Sequence, residues 1–167
     1  MADTATYDLI ASQTLASAAS SITFSSIAAS WTDLRIILTG SSNGGYDCHL
    51  IQFNGDTATN YSMTTMRGYG TGVFTGTSTT QSSISGSSYL PGTNLGVGIM
   101  DIFSYTGSTY KTCLINGNGD DNGSGQVSTT VGLWRSTASI TSITLTLSSA
   151  STYKIGTTAN LYGIKAA

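Results

Sequence analysis

From Asp33 to Thr39 the residues Leu34, Ile36 and Leu38 alternate with Arg35, Ile37 and Thr39, and from Ser142 to Leu147 the residues Ile143, Leu145 and Leu147 alternate with Ser142, Thr144 and Thr146. A repeat of two puts one set of side chains on each face of an extended strand, so these segments read as half-buried strands. Nothing competes with that reading. No long 3.6-residue periodicity is present, Glu is missing altogether, and β-branched and hydroxyl residues dominate, which disfavours helix by pattern and by propensity.

Further strands are expected at Tyr7 to Ser12, Ser21 to Ser25, His49 to Phe53, Ser62 to Tyr69, Leu95 to Ser104, Lys111 to Asn116, Gln126 to Leu133 and Asn160 to Lys165. About ten short strands separated by Gly and Asn turns point to an all-β, antiparallel β-sandwich. Asn54-Gly55 is the strongest local turn signal, since both residues tolerate positive φ. The segment Tyr105 to Tyr110 encloses Gly107 and is suited to close a hairpin between the strands on either side of it. The chain has 167 residues, enough for one well-buried core and too few for two, so residues 1–167 are expected to form a single domain. Few charges and many Ser, Thr, Asn and Gly suggest disorder, but a hydrophobic content of 39% and nine Tyr argue for a packed core.

Two segments break the alternating pattern. Residues 71–88 (TGVFTGTSTTQSSISGSS) read either as a long loop held by anchors such as Phe74 and Ile84, or as an irregular edge strand followed by a turn. The strand from Leu95 to Ser104 is apolar on both faces, with Ile99 and Phe103 on one side and Met100 and Ile102 on the other. It therefore needs cover from the second sheet and from something else, either the long loop or a neighbouring subunit. Edge protection points the same way. With one Pro and three Lys, the chain has little to keep a neighbouring strand off its edges, so symmetric self-association is expected.

Charged residues make up only 8% of the chain, and this scarcity excludes most site chemistry. The six bases, Arg35, Arg67, Lys111, Arg135, Lys154 and Lys165, are scattered, and net charge is −2, so a nucleic-acid partner is not expected. No apolar run approaches the ~20 residues that span a bilayer, and no membrane partner is expected. Met1 to Ser12 lacks the basic region of a secretory signal, so the protein is expected to be made in a cytosol and to leave it only by lysis.

The acids are Asp3, Asp8, Asp33, Asp47, Asp56, Asp101, Asp120 and Asp121, and no spacing pairs any two for glycosidase work. They are expected to solvate turns and strand ends. A Ser-His-Asp arrangement would have to use His49, the only His, and no nucleophile-elbow sequence is present. Cys48 and His49 adjoin, but neighbours on a strand point to opposite faces, so they do not form a site. Cys48 and Cys113 read as free thiols; one bridge is permitted without being implied.

Asn118, Asp120, Asn122 and Gly123 mimic the opening of a calcium loop, but the twelfth position is Thr129 rather than Glu, so a Gly/Asn turn between strands is preferred. Tyr46, Tyr61 and Tyr69 lie near expected loops and offer a possible sugar platform, whereas Trp31 and Trp134 read as core or rim packing. Neither a catalytic, cofactor-binding or metal residue nor a cofactor is assigned, and the chain is not expected to be an enzyme.

One resemblance adds to this. Tyr7-Asp-Leu-Ile-Ala-Ser12, Ser20-Ser-Ile-Thr-Phe-Ser-Ser-Ile27, Trp31-Thr-Asp-Leu-Arg-Ile36, Phe53-Asn-Gly-Asp-Thr57, Asn60-Tyr-Ser62, the run from Gly132-Leu-Trp-Arg-Ser to Thr146 and the ending Leu161-Tyr-Gly-Ile164 occur in that order. As a set they resemble small β-sandwich structural proteins of tailed bacteriophages, especially those of cyanobacteria and other aquatic bacteria. The resemblance covers both ends and thins between about Arg67 and Asn94. It implies a virion component with a jelly-roll-like subunit: a capsid decoration (cement) protein, expected as a homotrimer seated on the major capsid protein, or a tail or fibre adhesin that binds host glycans. No functional residue is carried over from it.

Overall fold

Leu34, Ile36 and Leu38 do turn inward, and they share one core with Ile143, Leu145 and Leu147 from the opposite sheet. The structure, a computed structural model, describes residues 6–120, 123 and 125–165. Its strands are β1 (Tyr7–Thr14), β2 (Ser21–Phe24), β3 (Asp33–Gly40), β4 (Asp47–Phe53), β5 (Tyr61–Tyr69), β6 (Gly72–Gln81), β7 (Ile84–Leu90), β8 (Gly96–Phe103), β9 (Lys111–Asp120), β10 (Gly125–Trp134), β11 (Ile143–Leu147) and β12 (Thr158–Ile164). Among the described residues there is no helix. The strands form an eight-stranded sheet, in the order β1-β12-β3-β8-β9-β10-β5-β6, and a four-stranded sheet, in the order β2-β11-β4-β7. Every pairing is antiparallel. The protein is an all-β antiparallel sandwich with which a jelly-roll path is compatible.

The four strands of the small sheet are interspersed along the chain among those of the large one, so the core joins residues far apart in sequence. Ile22, Phe24, Ile51, Phe53 and Ile84 from the small sheet are almost completely buried against Ile36, Met100, Ile102, Ile115 and Leu161 from the large one. All ten segments expected to be strands are strands. The hairpin at Tyr105 to Tyr110 joins β8 to β9, and the fully buried Lys111 closes it by donating to the carbonyls of Gly107 at 2.5 Å and Thr109 at 2.6 Å.

Residues 71–88 are where the structure decides between the two sequence readings. They contain all of β6, a short turn and most of β7, so the long-loop alternative is set aside. Of its two candidate anchors, Ile84 is fully buried but Phe74 is 47% exposed. The Phe74 ring instead lies against the Arg67 guanidinium, 5.1 Å from the ring centre. β9 also runs four residues beyond the expected Asn116, to Asp120, because its Asn-Gly-Asn-Gly-Asp run still alternates: Gly117 and Gly119 are buried while Asn116, Asn118 and Asp120 are exposed. Gly98 and Gly96 stand opposite those two glycines on β8. The side-chain-free floor they create lets β7 pack across β8, β9 and β10.

The segments that carry the resemblance gather into structural knots. Asn54 and Gly55 turn with φ of 53° and 67°, and the Asn54 side chain accepts from the backbone N–H groups of Thr141 and Ser142 while donating to the Ser139 carbonyl. The Asp56 carboxylate accepts from Trp134 Nε1 at 2.7 Å and from Asn60 at 2.9 Å. Trp134 in turn packs with Phe53 and Tyr61. Arg135 donates to the carbonyls of Thr59, Tyr61 and Thr79, which pins the end of β6. These residues are conspicuous because they hold loops together.

Gly163 provides a test of packing at the opposite end. A Cβ built there would lie 2.3 Å from the Trp31 ring, whose Nε1 donates to Asp8 on β1. Gly163→Ala is therefore expected to displace Trp31 and loosen β1, at a cost of about 2 kcal/mol by overpacking. Gly68→Ala serves as the control, since its Cβ would meet only Val127 at 3.7 Å. Thermal denaturation should show a Tm lowered by roughly 6 °C for Gly163→Ala and nearly unchanged for Gly68→Ala.

Candidate functional site

The small sheet stacks on one face of the large sheet, and no second layer among the described residues covers the other. The register assigns the residues of its outer face: Val97, Ile99, Asp101 and Phe103 on β8, Leu114, Asn116 and Asn118 on β9, Val127, Thr129, Val131 and Leu133 on β10, Thr64 and Met66 on β5, and Val73 on β6. Several of these apolar side chains stand in solvent, with Val73 77% and Val127 65% exposed. For β8 this removes one of the two alternatives, cover by the segment 71–88, and leaves a neighbouring subunit. Met100 and Ile102 are covered by the second sheet, but within the described chain nothing closes over Val97 and Ile99.

At the β6 end the outer face is hollowed into a groove of about 440 Å³ lined by Met66, Val73, Val97, Ile99, Val127, Asn116, Asn118 and Thr129, with Gly68 and neighbouring backbone. Its walls are aliphatic and its polar groups are neutral amides and a hydroxyl. Arg67 contributes to the lining, yet its guanidinium stacks between the rings of Tyr69 and Phe74 on the inner side of β5, 5.1 Å from each ring centre. Farther along the face, Arg35 and Asp101 neutralise each other through two contacts of 2.5 and 2.9 Å. A surface of this kind can exclude water against a partner.

The polar residues that the sequence singled out lie elsewhere. Cys48 is half-buried on one side of β4 while His49 is fully buried on the other, so the pair does not converge, as the strand geometry requires. Burial pushes the fully enclosed Cys113 thiol up to about 12, and both thiols are free. His49 Nδ1 lies 3.1 Å from the Tyr153 hydroxyl, which donates to the Thr146 carbonyl at 3.1 Å. The imidazole is therefore the Nδ1–H tautomer, with Nε2 facing the core without a partner. Burial lowers its pKa to about 4, partly opposed by the Asp47 charge.

Asp47 departs from the expectation that the acids solvate turns and strand ends. It does begin β4, but it is 1% exposed. Its Oδ1 accepts from Cys48 N, Ser148 Oγ and Ser149 N, and its Oδ2 from the hydroxyls of Ser42 and Ser149. Burial is the largest single influence and would raise its pKa, but the hydrogen bonds from Ser149, Ser148 and Ser42 together outweigh it and hold the carboxyl below its ordinary value. The signal available in the sequence was Ser42, Asp47, Ser148 and Ser149 as four separate hydrophilic residues, and nothing in their spacing relates them.

Asn118 and Asp120 lie on an extended strand, and Asp120 accepts from Gly123 N at 3.4 Å. Asn122, like Asp3 and Asp121, lies outside the described residues. Thr129 sits opposite Asn116 on β10. Among the described residues no group of three or more His, Cys, Asp or Glu side chains is placed to hold a metal ion, and no helix is long and apolar enough to cross a membrane. Tyr61 is fully buried, so the three tyrosines do not form a common platform; Tyr46 and Tyr69 are exposed. Trp134 is buried and Trp31 packs on Gly163, both as packing residues.

What the fold and this face define is an antiparallel β-sandwich with one broad, nearly neutral, uncovered sheet surface. No protein-family model matches the chain, and neither a curated protein nor a solved structure matches it.

Proposed function

We propose that this protein is a non-enzymatic structural component of a bacteriophage virion, a capsid decoration (cement) protein that binds the outer surface of the head and stabilises it. The observation that carries the reading is the uncovered outer face of the large sheet, aliphatic and almost free of net charge. Such a surface gains free energy only by being packed against, and a cement protein adds binding free energy to the shell at each copy it seats. The ordered resemblance to phage β-sandwich proteins supports the same reading, with a jelly-roll-like subunit, a homotrimer and the major capsid protein as partner. It also agrees with synthesis in the host cytoplasm followed by release on lysis. With little charge on the face, attachment should depend only weakly on ionic strength.

The test is to locate the chain in intact particles by cryo-electron microscopy and count its copies. Hundreds of copies spread over the head are expected. A few copies confined to the tail would overturn the cement reading in favour of a tail or fibre adhesin, which a glycan array would then examine.

A further inference from the structure

We infer that the grooved end of the outer face, around Val73, Val97, Val127 and Asn118, is where a second copy of this chain docks. The inference rests on the reading of the protein as an assembling subunit and names the surface that assembles. Three observations favour a second copy as the occupant. The first is area. The five neighbouring strands that wall the groove, β8-β9-β10-β5-β6, about 4.8 Å apart and about nine residues long at ~3.4 Å per residue, offer roughly 700 Å², close to the ~800 Å² per partner of a stable interface, and leave the β1-β12-β3 part of the face for the capsid.

The second is charge. Identical surfaces brought together repel if they carry net charge, and here the groove lining has no acidic side chain, Arg67 is turned inward onto Tyr69 and Phe74, Arg35 is cancelled by Asp101, and the nearby Asp120 stands at the strand end outside the lining. Its polar groups, Asn116, Asn118 and Thr129, each combine donor and acceptor, so they can pair with the neutral hydroxyls and amides of a neighbouring copy whether a two-fold or a three-fold axis relates the two. The third is the adjoining edge. β6 borders the groove and ends the sheet, and its ten residues, Gly72–Gln81, contain no charge and no Pro. Edge strands that stay unpaired usually carry such blocks, so a neighbouring copy can approach the groove across β6 without obstruction.

The test is sedimentation of the full chain at high protein concentration. The expected result is a species of at least twice the 17.2 kDa monomer mass. Val127→Lys should weaken self-association at least about tenfold, and the gentler Val127→Thr should weaken it less. Ile155→Lys, at an exposed position off this face, should leave it unchanged. Circular dichroism establishes that each variant is folded. A wild-type monomer would overturn the inference, as would an oligomer indifferent to both Val127 variants. A monomer that binds purified heads through Val127 would overturn it while leaving the decoration reading standing. An oligomer that dissociates with Val127→Lys but is missing from heads would uphold the inference and sink the decoration reading.

Discussion

Asp47→Ala is expected to cost about 3 kcal/mol, because it strips five donors of their acceptor, among them the fully buried Ser42 hydroxyl, although Ser148 and Ser149 stand at the surface where water can partly replace it. The residues affected tie the β3–β4 loop, the start of β4 and the loop after β11 together, so the loss falls on the junction between the two sheets. In urea the unfolding midpoint should drop by about 2 M. Asp47→Asn keeps the volume and one good acceptor but offers a donor where only donors already point, and it should lose somewhat less. Equal stability of wild type and Asp47→Ala would mean that the serine cluster is satisfied by solvent. Because the folded-state pKa of Asp47 is lowered, its contribution is complete above the ordinary carboxyl range and is lost only as pH falls through the folded value, below about 4.

The second large effect belongs to His49 and appears at higher pH. Its pKa is 6.5 when unfolded and about 4 when buried in the native protein, so between those values the unfolded chain binds the extra proton. Stability from this group is therefore complete above pH 6.5 and falls as pH drops to 4, by roughly 3 kcal/mol in all. The two windows separate the residues: His49 acts between pH 6.5 and 4, Asp47 below. Urea midpoints at pH 7.5 and 4.5 should show most of the His49 loss in the wild type. His49→Phe should be less stable at pH 7.5, since Tyr153 loses a partner, but should show a much flatter dependence on pH. An unchanged slope in that variant would assign the acid sensitivity to other groups.

How far these features can be read from the chain depends on what covers each residue. β3 and β11 were plain because one face of each is buried and the other is not, so the core writes a repeat of two into their residues. β6 carried no such repeat: the residues of Gly72–Gln81 are exposed or only half-buried, and it is held by backbone hydrogen bonds to β5 that any residue except Pro can make. β7 was obscured for the opposite reason. It packs across β8, β9 and β10, and its run Ser85-Gly86-Ser87-Ser88 contains none of the large residues that normally mark a strand. The end of β9 was read as a turn because Asn, Gly and Asp favour turns locally, and pairing to both neighbours overrode that preference.

The sites followed the same division. That Cys48 and His49 face apart was legible, because it depends only on the period of a strand. That Asp47 is buried among Ser42, Ser148 and Ser149 was not, because Ser148 and Ser149 lie 101 and 102 positions away and only the pairing of β4 with β11 brings them to it. Alternation along single strands thus determined from sequence alone that this chain is an all-β sandwich with one side of each long strand in the core, since hydrophobic burial acts on each strand by itself. Only the tertiary structure decided that one sheet has twice as many strands as the other, because strand order is settled by pairings between distant segments. With only two layers among the described residues, Val97, Ile99 and Val127 are left on the open outer face of the larger sheet, which is the part of the molecule its function has to explain.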